Sequence, residues 1–231
     1  MEKEVVIIDG MKQLKNKINE LLGINVKDVM DLNDNTAIPM QIISIIANAT
    51  NERKIQDAWK CISRGENIEK SINELYNYVD DEERAFHISN AFRKIIMTNS
   101  RISAAIIAYI IGEIKTNKRD FTSEDIILFN ALEGMTDFDI RCFKELMEQS
   151  NYSFILGVKY FDKQSFPDDK RIIYNELLEF GDKNRLFIKG LITTENQGEV
   201  FIGDSYAPKK EAFDLLDYIC KVNQILNYGF A

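Results

Sequence analysis

The strongest chemical signal in the chain is Val200-Phe-Ile-Gly-Asp-Ser-Tyr-Ala207, where a β-like run enters Gly203, Asp204 and Ser205. A serine hydroxyl at such a turn attacks a carbonyl only when a base takes its proton. The chain has one histidine, His87, and none among the 26 residues after Ser205. His87 stands beside Phe86 and Ile88 in a helix-like stretch, with Asp80, Asp81, Glu82 and Glu83 just upstream. Those carboxylates would tune it as a general base or pH switch. The plainer reading, a partly exposed helix residue, is favoured.

The Ser205 block resembles the nucleophile block of the GDS-type lipase/esterase family, which implies Ser205 as nucleophile. That family places the block early, at the end of a first strand, and draws an Asp-x-x-His pair from the far end. This chain has its block late and has no histidine after it. A turn between a hairpin and a helix wants Gly, Asp and Ser for backbone reasons alone. A serine hydrolase centred on Ser205 is therefore the remotest of three readings.

Other chemistry is sparser. No Cys-x-x-Cys, His-x-x-x-His or EF-hand loop occurs, and Asp31-Leu-Asn-Asp-Asn35 lacks the glycine and glutamate of a calcium loop. It reads as a solvated linker, and no metal is expected. There is no Gly-x-Gly-x-x-Gly and no Gly-Lys-Ser/Thr cradle, so no nucleotide or other cofactor is expected. The paired acids Asp80/Asp81 and Asp168/Asp169 sit where helices start, where the dipole attracts carboxylates without catalytic duty. The aromatic run Tyr152, Phe154, Tyr160, Phe161 and Phe166 alternates with aliphatics and reads as core.

Composition narrows the class further. The chain has 231 residues, 45% of them hydrophobic, enough for a sizeable core in one large domain or two small ones. Three widely spaced cysteines, Cys61, Cys142 and Cys220, suggest reduced thiols in a cytoplasmic protein. The start, Met1-Glu-Lys-Glu-Val-Val-Ile-Ile-Asp9, has mixed charge and a four-residue apolar run, unlike a secretory signal. The most apolar segment, Ile102–Ile114, would span about 20 Å as a helix, short of a hydrocarbon core of roughly 30 Å. It reads as a buried helix, with no membrane expected. A net charge of −8 opposes general attraction to nucleic acid or anionic lipid.

The elements that must position these residues are mostly helical up to about residue 150. Ile8, Met11, Leu14, Ile18 and Leu21 recur at steps of three or four, and Gly23 stops them. Pro39 opens the stretch Pro-Met-Gln-Ile-Ile-Ser-Ile-Ile-Ala-Asn-Ala. Ile55, Ala58, Trp59 and Ile62 end near Gly65; Ile68, Ile72, Leu75 and Val79 follow. Asp80 with Glu83 reads as a cap, as do Thr122 with Asp125 and Thr136 with Asp139. Seven or eight helices with short joints imply a bundle with Ile102–Ile114 at its centre. Beyond Ser150, Tyr152–Phe161 reads as a strand. Pro167 then opens a helix, Lys183-Asn-Arg-Leu-Phe-Ile-Lys-Gly190 a short one. Leu191–Thr194 and Glu199–Ile202 form a hairpin about Asn196-Gln197-Gly198, and Pro208 opens a final helix.

That order from Asp137 onward (helix, strand, helix, short helix, hairpin, helix) resembles a winged-helix domain. Arg185, Leu186, Gly190, Leu191, Ile192, Gly198, Pro208, Phe213, Leu216 and Ile219 occupy the matching positions over about the last third of the chain. The resemblance implies a third helix and wing that commonly bind DNA. Lys183, Asn184, Arg185 and Lys189 would then face base edges or a partner. From Asp168 to the end, eight Lys/Arg stand against eleven Asp/Glu, so phosphate contact is disfavoured.

The expected fold is mostly α: an N-terminal helical bundle over residues 1–118, then a winged-helix-like α+β module with a small β-hairpin over 119–231. A boundary near 150 is the other option. The expected role is non-catalytic: contact, regulatory in kind, with another protein or the chain's own copy. The acidic, Asn/Lys/Ile-heavy composition suits a bacterial or phage protein. A DNA-binding winged-helix transcriptional regulator is the alternative.

Overall fold

The computed structural model describes residues 2–23, 49–149, 152–155, 158–161, 192–194, 206–208 and 210–228. Among the described residues seven helices precede residue 150: α1 (Glu2–Leu21), α2 (Ala49–Ile62), α3 (Ile68–Tyr78), α4 (Glu82–Met97), α5 (Arg101–Asn117), α6 (Ser123–Glu133) and α7 (Asp137–Gln149). Among the described residues four short strands follow: β1 (Tyr152–Ile155), β2 (Val158–Phe161), β3 (Ile192–Thr194) and β4 (Tyr206–Pro208). They lead to α8 (Lys210–Leu226).

The chain starts and stops these helices with local chemistry. Thr122 and Asp125 form a reciprocal capping box on α6. Thr136 and Asp139 do the same on α7: each backbone amide donates to the other's side-chain oxygen, at 2.8 and 3.2 Å. On α4 the cap is Asp81, one residue past the expected Asp80; its carboxylate accepts from the Arg84 amide at 2.8 Å. Asp80 instead accepts from the Arg84 guanidinium at 2.8 Å, one turn away. Two adjacent aspartates offer the same capping oxygen, and tertiary contacts decide which one caps. After α2 the chain turns through Gly65 at φ +80°, a left-handed conformation that suits glycine.

The centre is α5, as its charge-free stretch predicts. Ile102 through Gly112, with Ile114 and Lys115, are all buried. α2 and α4 pack most extensively against it, and α6, α7 and α8 also pack on it. The amphipathic helices turn Trp59, Ile62, Leu75, Ile88, Ile95, Leu128 and Phe143 toward it. Each fully buried aliphatic of this size contributes about 1.5–3 kcal/mol over its exposed state. From the far end of the chain, α8 adds Ala212, Leu215, Ile219 and Val222 to the same core.

The mostly-α expectation holds; the winged helix does not. The buried residues that are described lie on helices and their joints, and among the described residues the expected wing is not seen. Ile192–Thr194 pairs antiparallel with Tyr206–Pro208; its expected partner Glu199–Ile202 lies outside the described residues. Tyr152–Phe161 is two antiparallel strands, with Tyr152 opposite Phe161, not one. The physical reason is that runs of three or four apolar residues fix neither partner nor register. Gly157 within Tyr152–Phe161 was a breaker signal. Pro208, without an amide, suits the end of an edge strand as well as a helix start, and α8 begins only at Lys210. The expected helices opened by Pro39 and Pro167, the short helix over 183–190, the linker over 31–35 and the turn over 196–198 lie outside the described residues.

Candidate functional site

A cleft of about 430 Å³ opens where the last turns of α3 and α5 meet the first turn of α4. Glu74, Asn77 and Tyr78 line it from α3, Asp80 from the joint, Arg84 from α4, and Lys115, Thr116 and Lys118 from the end of α5. Lys115 directly follows the apolar run of α5, so helix periodicity carries its ammonium into the interior. Its side chain is 3% exposed. The ammonium donates to Ser71 Oγ at 2.5 Å and to Glu74 Oε2 at 2.9 Å. Ser71 in turn donates to the carbonyl of Ile62 at 3.2 Å, the last residue of α2. The Lys115 hydrogen bond holds the Glu74 carboxyl below the usual carboxylate range.

The other wall of the cleft is an arginine network. Arg84 donates through Nε and Nη2 to Asp120 Oδ1, at 3.1 and 2.7 Å, and through Nη1 to Asp80. Its guanidinium lies 4.9 Å from the centre of the Tyr78 ring. The hydrogen bond to Asp120 raises the Arg84 pKa further. Tyr78 donates its hydroxyl to the Arg119 carbonyl at 2.9 Å, and burial pushes its pKa up to about 12. Arg119 grips Asp125 with two hydrogen bonds, at 2.6 and 2.8 Å. Burial opposes ionisation of Asp125, yet Arg119 and the Thr122 amide outweigh it, and its pKa is lowered.

Two further polar ties fasten α8. Tyr218 donates to Glu113 Oε2 at 3.0 Å, and Lys221 stands 3.5 Å from the same carboxylate. Tyr228 donates to Asp57 Oδ2 at 3.0 Å, and Arg101 Nε donates to the same oxygen at 2.9 Å. The Arg101 guanidinium lies 5.4 Å from the Tyr228 ring centre. On α4 and α6, Lys94 pairs with Glu133. These ties join cation to carboxylate within the chain, so what they do chemically is hold helices together.

The residues singled out by type fare differently. His87 stacks on Phe121, with ring centres 4.9 Å apart, and its Nε2 stands 3.9 Å from Glu83 Oε1. Of the four upstream acids, only Glu83 pairs with it. Cys61 and Cys142 are buried and Cys220 is half-buried, and none of the three is in a disulfide. Burial pushes the Cys61 thiol up to about 12, the opposite of an activated nucleophile. Among the described residues no group of three or more His, Cys, Asp or Glu could hold a metal ion. No helix among them is long and apolar enough to cross a membrane. Ser205, Lys183, Asn184, Arg185 and Lys189 lie outside the described residues.

The surface carries what periodicity left unassigned. Phe86, Met97 and Phe138 are 54%, 60% and 61% exposed. Met97 ends α4 and Phe138 lies in the first turn of α7. Between them Ser100 donates to Asp137 Oδ1 at 2.5 Å, and the Ile102 amide donates to the same oxygen at 3.2 Å. Lys54 closes this corner by donating to the carbonyls of Ile96 and Thr98, at 2.7 and 3.0 Å. Reasoning from the sequence missed this corner, although Phe138 had a signal: it falls one residue before Asp139, off the buried stripe of Ile140 and Phe143.

Comparison with family models, with curated proteins and with solved structures gives no match. The winged-helix resemblance therefore finds no support there either.

Proposed function

We propose that this chain acts by contact, with another protein or with its own copy, and not by catalysis. The observation that carries the reading is the pair Met97 and Phe138, each about three-fifths exposed and each within three residues, along the chain, of a partner in the Ser100–Asp137 hydrogen bond. Exposed apolar side chains scattered singly are ordinary, but two large ones next in sequence to one hydrogen-bonded helix joint offer apolar surface that association would bury. Methionine and phenylalanine are enriched in interface cores, and a corner held by Lys54, Ser100 and Asp137 presents them with little ordering left to lose. The polar ties described above support the same reading, since their charges are spent on the bundle itself.

The test is sedimentation of the full chain over a range of concentrations, beside the double variant Met97→Lys/Phe138→Lys. The parallel arm is crosslinking in a cell lysate with both proteins. The reading expects wild type to self-associate, or to capture a partner, and the folded double variant to lose that species. A wild type that stays monomeric and captures the same set of proteins as the variant overturns it.

A further inference from the structure

We draw no further inference here: the strongest candidate, the cleft where the last turns of α3 and α5 meet the first turn of α4, belongs to the site already described, and the Arg84 and Lys115 donors that would hold a ligand there are taken by Asp80, Asp120, Glu74 and Ser71 of the same chain.

Discussion

Gly112 of α5 lies so close to Ile62 of α2 that a Cβ built on it would stand 2.6 Å from the Ile62 carbonyl oxygen. The Cys61 oxygen would be 3.1 Å away. Both obstacles are backbone, so neither can rotate aside. In an exposed helix, alanine in place of glycine gains about 1 kcal/mol. Here the overpacking cost, typically about 1–3 kcal/mol, works against that gain. Gly112→Ala is expected to lower the urea midpoint followed by circular dichroism, with Gly112→Val lowering it further. An unchanged or raised midpoint for the alanine variant would mean that α2 and α5 cross less tightly.

The same junction holds an asymmetric ion pair. Lys115 is almost wholly buried, whereas the Glu74 side chain is 44% exposed. Removing the lysine leaves a carboxylate that water can reach; removing the glutamate leaves a buried ammonium with only Ser71. Loss of one partner of a buried pair costs about 3–5 kcal/mol when it strands a buried charge; Lys115→Met strands none, because water reaches the Glu74 carboxylate. Solvent access at Glu74 places its own removal toward the low end. Glu74→Leu should therefore destabilise more than Lys115→Met. Urea denaturation of the two variants decides it, and equal losses would remove the asymmetry.

Which parts of this were readable in advance follows from the range of the interaction. Ile102–Gly112 announced its central place because burial on all faces leaves no charged position in that run. The Thr122/Asp125 and Thr136/Asp139 caps were legible because both partners lie within three residues. Asp81 was mistaken for Asp80 because the choice depends on Asp120, which shares Arg84 from 36 residues away. The Asp57–Tyr228 bond, across 171 residues, left no local trace. The cleft was equally hidden, since three elements supply its walls. The wing failed for the opposite reason: Leu191–Thr194 has a local pattern, but its partner is Tyr206–Pro208.

Acid should expose the Asp125 contact. Its folded pKa is lowered, so its contribution is fully present above the unfolded value of about 3.9. That contribution is lost as pH falls from there through the folded value. Glu74, also lowered, acts in the same sense. Asp125→Asn is expected to be less stable than wild type at pH 7 and to lose less on going from pH 5 to pH 3. Urea midpoints for both proteins at several pH values in that window test this. Two curves that fall in parallel would show that Asp125 titrates alike in the folded and unfolded chain.

The tie between Tyr228 and Asp57 anchors the C-terminal end of α8 beside the start of α5. A hydrogen bond to a charged acceptor contributes about 1.5–3 kcal/mol when buried, less where water competes. Tyr228 is half-buried, and Asp57 keeps Arg101 when the hydroxyl is removed, so no carboxylate is stranded. Tyr228→Phe should therefore cost about 1 kcal/mol. Tyr228→Ala should cost more, because the ring beneath Arg101 goes as well. The loss should be local: hydrogen exchange of amides near Val222–Leu226 should speed up in Tyr228→Phe, while those of Ile106–Ile111 stay as slow relative to global unfolding as before. Burial also raises the Tyr228 pKa, so this stabilisation is present below the unfolded tyrosine value of about 10 and is lost as pH rises above it. The phenylalanine variant should accordingly show a shallower alkaline decline than wild type. Identical exchange at Val222–Leu226 in both proteins would mean that the end of α8 is held by its apolar face alone.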